Sequence, residues 1–492
     1  MMHPSSTIEH TYDIIIVGAG ISGIGTAYWL QKKCPEKRVL ILEARGSIGG
    51  TWSLFQYPGI RSDSDMFTFG FRFKPWNDPQ SLSSGDKILN YLEQTVKENK
   101  LDQLISFNHK MLSSNWSDEE RCWSLQVESP EGLKTLKSRF LSICTGYYNY
   151  QEAHRPKFEG ENLFQGKIIL PQFWPKDLNF SNQKIAVIGS GATAITLVPS
   201  LANQGAGQVT MIQRSPTYVM NLPNRNGQFS FLKKVLPNSW AYRLTRSTNI
   251  LLSMASFGFS KAFPKFMKKL IMNAAAKQLP EGYPVDKHFN PSYNPWDQRL
   301  CVVPDGDFFT SINKGQAHVV TGEISHFSEK GVQMKNGDFI EAELIVLATG
   351  LKIQLLGGAQ ISVTNQVAKI SDFYIYKGMM VSGLPNFIYC FGYTNASWTL
   401  KVDLTANYLC KILKYMDKHE LEVVTPKVSK IENEENFLNL SSGYITRAEK
   451  DLPKQGSKRP WRVYQNYLVD MLTTRFGPIR DQALQFLSKA KC

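Results

Sequence analysis

Glycines are the first residues here whose spacing points to chemistry. Gly18, Gly20 and Gly23 stand in a GxGxxG pattern directly behind the β-branched run YDIIIV, Tyr12 to Val17. In that pattern the first glycine permits a tight bend, the second lets the backbone approach a pyrophosphate, and the third lets a helix pack close to the preceding strand. The N-terminus of the helix that follows attracts the anion. The next apolar run, RVLILE, ends in Glu43, an acid about 20 residues past the glycines and so placed to accept hydrogen bonds from a ribose 2′-hydroxyl. The bland alternative is a turn that only packs, but strand, glycines and acid together favour dinucleotide binding.

The arrangement recurs. KIAVI, Lys184 to Ile188, is followed by GSGATA, with Gly189 and Gly191 in the first two glycine positions and Ala194 in the third. Here the second strand, QVTMIQ, ends in Arg214-Ser215 instead of an acid, a choice that accommodates a 2′-phosphate. NADPH is therefore expected over NADH, unless Arg214 is only a solvated surface charge. A flavin site and a nicotinamide site in one chain imply that FAD takes electrons from NADPH. The first turn, with its acid, is assigned to FAD.

These turns require α/β architecture, with two Rossmann-like dinucleotide-binding domains. Residues 1–152 are read as the first part of the FAD domain and 153–215 as the first part of the NADPH domain. Residues 216–292 are read as a helical insertion, 293–352 as the second part of the NADPH domain, and 353–492 as FAD-domain completion and C-terminal region. Thr145-Gly146 and Thr349-Gly350 each close a β-rich run and mark places where the chain crosses between domains. Both also fit ordinary strand-end turns. A length of 492 residues and 42% hydrophobic content support large cores and exclude disordered or fibrous classes.

The formal charge of +14 is concentrated. From Asn226 to Pro280 there are Lys233, Lys234, Arg243, Arg246, Lys261, Lys265, Lys268, Lys269 and Lys277, with no Asp or Glu among them. A helix is expected to start near Pro264, with Phe263, Met267, Leu270, Ile271 and Ala274 on one face and the lysines on the other. The basic segment 226–280 reads as a solvated surface, a peripheral contact with anionic membrane, or a route for a phosphorylated cofactor. Nucleic acid is not expected, since no recognition module accompanies the charge. The stretch Ile250 to Phe259 is far shorter than the ~20 apolar residues of a membrane span. Seven scattered cysteines without a CxxC pair argue against a disulfide framework, a metal site or a disulfide reductase. With no leader at the N-terminus, a cytoplasmic setting is expected, with membrane association left open.

Between the two glycine units lies Phe164-Gln-Gly166-Lys-Ile-Ile-Leu170-Pro-Gln-Phe-Trp174-Pro175, which resembles the FxGxxxHxxxWP fingerprint of Baeyer-Villiger monooxygenases, class B flavoprotein monooxygenases. GGTW (Gly49 to Trp52), YPGIRSDSD (Tyr57 to Asp65), LPEGYPVDKHFNPSYNPWDQRL and GYTNASWTLK (Gly392 to Lys401) resemble the ethionamide-activating branch of that family, in the same order and nearly end to end. The resemblance implies oxidation of ketones to esters or lactones by NADPH and O2 through a C4a-peroxyflavin. Sulfoxidation of thioethers and thioamides is implied beside it, so the expected partners are small ketones or organosulfur compounds.

Residue by residue, Arg299 matches the arginine that stabilises the anionic oxidant, and Asp63 the acid that orients it. Ser22, Thr51, Trp52 and Asp63 match flavin contacts, and Met111 a backbone contact near the adenine. Arg61, Ser62 and Asp63 match a loop between flavin and nicotinamide. Ser190, Gly191, Ala192, Thr193, Ala194, Ile195, Thr196, Arg214 and Ser215 match contacts to the NADPH diphosphate and 2′-phosphate. Trp398 and Asn395 are expected to line the flavin or substrate cavity, or else to be core. The aromatics Phe373, Tyr374, Tyr376, Phe387 and Tyr389 carry the same two alternatives. The chain departs from the fingerprint at Leu170, where the family has histidine, and Leu offers no hydrogen bond. Alternatives are therefore an enzyme restricted to S- or N-oxygenation, or a poorly coupled NADPH oxidase. A non-catalytic redox-sensing flavoprotein is a further alternative.

Overall fold

The computed structural model describes residues 11–438 and 441–488. Cys492 lies outside them. The first sheet begins with β1 (Thr11–Val17), whose Ile14, Ile15 and Ile16 are wholly buried, as befits a parallel strand covered on both faces. Helix α1 (Ile21–Lys33) follows over the span ISGIGTAYWLQKK. Then come β2 (Val39–Glu43), the short helix α2 (Met66–Phe69), β3 (Ile105–Phe107), β4 (Lys110–Ser117), β5 (Cys122–Ser129) and the long β6 (Gly132–Ile143). β1 pairs in parallel with β2 on one side and β6 on the other. The turn after β1 therefore opens at the point where strand order diverges, where such sheets bind ligands.

The second sheet is built from β7 (Lys167–Ile169), β8 (Lys184–Ile188) and β9 (Gln208–Gln213), with helix α3 (Ala192–Asn203) after β8. The chain then makes β10 (Val219–Leu222) and the helices α4 (Gly227–Val235), α5 (Asn238–Ala262) and α6 (Pro264–Ala276). It returns through β11 (Cys301–Pro304), α7 (Asp307–Asn313), β12 (Ala317–Thr321), the antiparallel trio β13 (Ile324–Ser328), β14 (Gly331–Met334) and β15 (Phe339–Glu341), and β16 (Leu344–Leu347). β12, β9, β8, β16 and β7 lie side by side in that order, all parallel. From β16 the chain goes back to the first sheet as β17 (Gln360–Val363), β18 (Gln366–Val367) and β19 (Phe387–Tyr389), and α8 (Trp398–Lys418) packs on α1.

Both crossings start at the Thr-Gly pairs read from sequence, Thr145-Gly146 after β6 and Thr349-Gly350 after β16. The two connecting strands bond to each other as they pass. Asn149 N–H donates to Lys352 O at 2.8 Å and Gln354 N–H to Tyr147 O at 3.0 Å, with an antiparallel bridge between Tyr148 and Ile353.

One expectation for residues 216–292 is corrected. β10 lies within 216–292 and pairs in parallel with β11, so that stretch is not helical throughout. Four residues of VMNL are too short to show a strand period. The helix does start at Pro264, and its apolar face is mostly bare. Ile271 is buried, whereas Phe263 and Leu270 are 56% and 51% exposed, because α5 and α6 meet at a bend on Phe263 whose outer side no described element covers.

Helix α1 sits close on β1 only because Gly23 has no side chain: a Cβ there would lie 1.9 Å from the carbonyl oxygen of Gly18. Gly23→Ala should force α1 off the sheet and destabilise the protein by ~3 kcal/mol or more, read as a fall in the urea midpoint. An unchanged midpoint would mean that the turn relaxes freely.

Candidate functional site

A cavity of about 590 Å³ opens where the β1–α1 turn faces the second sheet. Gly18, Gly20, Ser22, Glu43, Thr51, Trp52, Arg61, Ser62, Asp63 and Met111 line it from the first sheet's side. Ala192, Thr193, Ile195, Thr196 and Arg299 line it from the second. The other named residues stand outside its wall. Gly23 and Ala194 are buried packing positions under their helices. Gly189, Ser190, Gly191, Arg214 and Ser215 border an open surface at the ends of β8 and β9, where Gly191, Arg214 and Ser215 are exposed. Ser190 Oγ donates to Ser215 O at 3.1 Å, tying the turn to the end of β9. A Cβ on Gly191 would meet nothing within 4 Å, so the backbone there is open to approach, as a phosphate requires.

Glu43 is buried at the tip of β2. Its Oε2 accepts the Ala19 N–H at 2.7 Å and its Oε1 the Arg45 N–H at 3.0 Å. Burial pushes its pKa up, against the pull of those two amides and of the Arg45 charge. With one donor on each oxygen, the carboxylate keeps lone pairs for a hydroxyl in the cavity. Glycine turn, helix N-terminus and acid together are a donor set that fits an adenine dinucleotide.

Asp63 and Arg299 meet across the cavity, Oδ2 to Nη1, at 3.6 Å. The side chains remain 37% and 33% exposed for Arg299 and Asp63 respectively, and both line the cavity wall. Burial by itself would lower the arginine's pKa. The charge of Asp63, followed by Tyr147, Tyr444 and Tyr148, outweighs it, and the guanidinium is held well above its ordinary value. Arg299 comes from the turn Asn294 to Gln298, in which Asp297 Oδ2 accepts the Asn294 N–H at 3.1 Å. Helix α5 braces this turn: Lys261 bonds Asp297 at 2.9 Å, and Phe257 meets Trp296 edge-on at 5.4 Å.

Tyrosines around Arg299 escaped the sequence reading. Tyr147 and Tyr148 sit on the first crossing strand with hydroxyls 2.9 Å apart, and Tyr444 reaches Tyr147 from helix α9 (Gly443–Ala448). Burial raises the pKa of all three. Tyr57, bonded to Thr193, is pushed by burial up to about 12. The run YYNY directly after Thr145-Gly146 was the available signal, since the crossing strand had to skirt the cavity. Trp398 lines the wall, donates from Nε1 to Ser22 Oγ at 2.8 Å and stacks on Tyr147 with centroids 5.4 Å apart. Asn395 does not line it and bonds Gln465 O instead. Tyr376, Phe387 and Tyr389 belong to the buried core, and neither Phe373 nor Tyr374 reaches the cavity.

Arg61 spans to Asp307 at the start of α7, Nη1 to Oδ2 at 2.5 Å, and so straps the first sheet's loop to the second sheet. Asp307 was not singled out from sequence. Leu170 lies at the end of β7, half-buried against the apolar cluster that holds Ile345 and Phe327, outside the cavity wall. Arg246, counted among the surface cations, is buried. It donates to the carbonyls of Phe67, Thr68 and Gly70 at 2.8, 2.9 and 2.6 Å and faces Asp403 at 3.7 Å. It thereby clamps α2, just beyond Asp63, to α5. All six described cysteines are buried, and no cluster able to hold a metal occurs among the described residues.

The family described as "Pyridine nucleotide-disulphide oxidoreductase" matches residues 15–224. Among solved structures, an oxidised steroid monooxygenase bound to NADP superposes with a TM-score of 0.76 at 20% identity, covering 97% of this chain and 100% of that one. A cyclohexanone monooxygenase bound to ε-caprolactone gives 0.75 at 18%, with the same coverages. These likenesses show the fold, two dinucleotide-binding domains in one chain. The "FAD-containing monooxygenase EthA" of Mycolicibacterium smegmatis is 47% identical over 479 residues, 97% of either chain. On that full-length similarity, the chain belongs to the FAD-containing monooxygenases.

Proposed function

We propose that this chain is an NADPH- and O2-dependent Baeyer-Villiger monooxygenase that converts ketones to esters or lactones and also oxygenates thioethers and thioamides. The observation that carries this reading is the Arg299–Asp63 pair in the wall of a cavity shared by both glycine-turn units. Gly18, Gly20, Ser22, Glu43, Thr51, Trp52 and Met111 would hold FAD, and the turn from Gly189 to Thr196, with Arg214 and Ser215, would hold NADPH. When bound, FAD accepts hydride from NADPH and activates dioxygen for transfer to substrate.

The chain's own contribution is electrostatic and positional. Arg299 presents a permanent cation, already oriented by Asp63, to negative charge developing on oxygen in the cavity. Asp63 holds the guanidinium without occupying all five of its N–H donors, because their contact is a 3.6 Å ion pair. Tyr147 Oη and Tyr148 Oη, with raised pKa values, keep their protons at any working pH; one of these protons is shared between the two hydroxyls, which leaves one to be donated toward a substrate oxygen. Trp52, Trp398 and Phe69 give the cavity apolar and aromatic surface suited to a small organic carbonyl or thioether.

Three substitutions test the assignment. Arg299→Ala should abolish ester formation from ketones, a loss on the order of a hundredfold or more, while the protein folds and retains its flavin absorbance. Ester yield equal to wild type would refute the role of Arg299. Arg214→Ala should raise KM for NADPH by at least ~tenfold and leave that for NADH nearly unchanged; equal effects would show that Arg214 does not read the 2′-phosphate. Leu170→His should raise product formed per NADPH consumed, measured against hydrogen peroxide released. Unchanged coupling would remove Leu170 as the reason for any leak.

A further inference from the structure

Ten of the twenty-one large apolar residues that stand exposed among the described residues fall between Phe231 and Leu270. They concentrate on the bent pair α5–α6. Phe259, Phe263 and Phe266 cluster at its bend with ring centroids 5.0 and 5.9 Å apart, yet are 43%, 56% and 59% exposed. Leu251 and Leu252 continue the apolar surface along α5, at 55% and 62%. Contiguous exposed apolar surface of this kind marks an interaction site. Lys265 and Lys269 stand exposed beside the phenylalanines, and no acid occurs from Asn226 to Pro280.

We propose that this bend between α5 and α6 docks on an anionic lipid surface, its phenylalanines entering the headgroup layer while the flanking lysines meet lipid phosphates. The occupant has to be apolar and negatively charged at once, which an anionic bilayer is. A second copy of the chain would bring lysines against lysines, with no acid in the segment to relieve them. The contact is peripheral, since no helix among the described residues is long and apolar enough to cross a membrane.

The test is co-sedimentation of the full-length protein with vesicles of phosphatidylcholine alone or with 30% phosphatidylglycerol. Expected is pelleting only with the phosphatidylglycerol vesicles, weakened by 0.5 M salt. Lys265→Gln/Lys269→Gln should partition roughly tenfold less well. Phe259→Ser/Phe263→Ser/Phe266→Ser should lose binding by roughly a hundredfold while keeping wild-type NADPH oxidation in solution, which reports folding. If the triple variant misfolds, the lysine variant and the salt series decide alone. No pelleting with either vesicle, equal pelleting with both, or a triple variant that converts a dimer to a monomer without any wild-type vesicle binding would each overturn the proposal.

Discussion

A guanidinium inside a cavity cannot shed its charge, so its partner must come to it. Arg299 belongs to the second-sheet half and Asp63 to a loop of the first, and the pair exists only while the halves hold their relative position. Much of the remaining structure serves that requirement. The two crossing strands bond to each other through Asn149, Lys352, Tyr147 and Gln354, and Arg61 reaches Asp307 across the same boundary. Removing the acid alone would leave the half-buried Arg299 without its partner in the cavity.

The helical excursion is tied into this frame from the other side. Arg246 gathers three backbone carbonyls of the 67–70 segment, so α5 and the Asp63 loop move as neighbours. Lys261 and Phe257, further along the same helix, brace the turn that delivers Arg299. One long helix therefore touches the supports of both members of the ion pair. A displacement of its outer end would be felt at both, through packed side chains and hydrogen bonds with defined geometry.

What the amino-acid order revealed divides by range. β1, α1, β8 and α3 were legible because glycine spacing, β-branched runs and helix starts are local signals, and Glu43 and Arg214 follow at fixed offsets from them. Asp63 and Arg299 lie far apart in the chain, and only the resemblance of their flanking segments brought them together. Tyr147, Tyr148 and Tyr444 were missed because an aromatic residue reads alike in core and cavity until its neighbours are known. Periodicity identified α6 as amphipathic but not whether anything covers its apolar side. Arg246 shows the same limit for charge: composition counts it as a surface cation, while the fold encloses it.

The buried thiols acquire a meaning beside this chemistry. A monooxygenase that fails to deliver its oxygen releases hydrogen peroxide, and the attackable form of cysteine is the thiolate. Cys301 stands in the cavity wall itself, yet burial first and the charge of Asp63 second push its thiol up to about 12, so it stays protonated and a poor nucleophile. Cys144 lines the same cavity, and there a hydrogen bond with Cys390 outweighs burial and lowers the thiol's pKa. At Cys301, then, the fold keeps a thiol beside the reaction in its protonated, unreactive form, so a wasted turnover meets a poor nucleophile at that point of the wall.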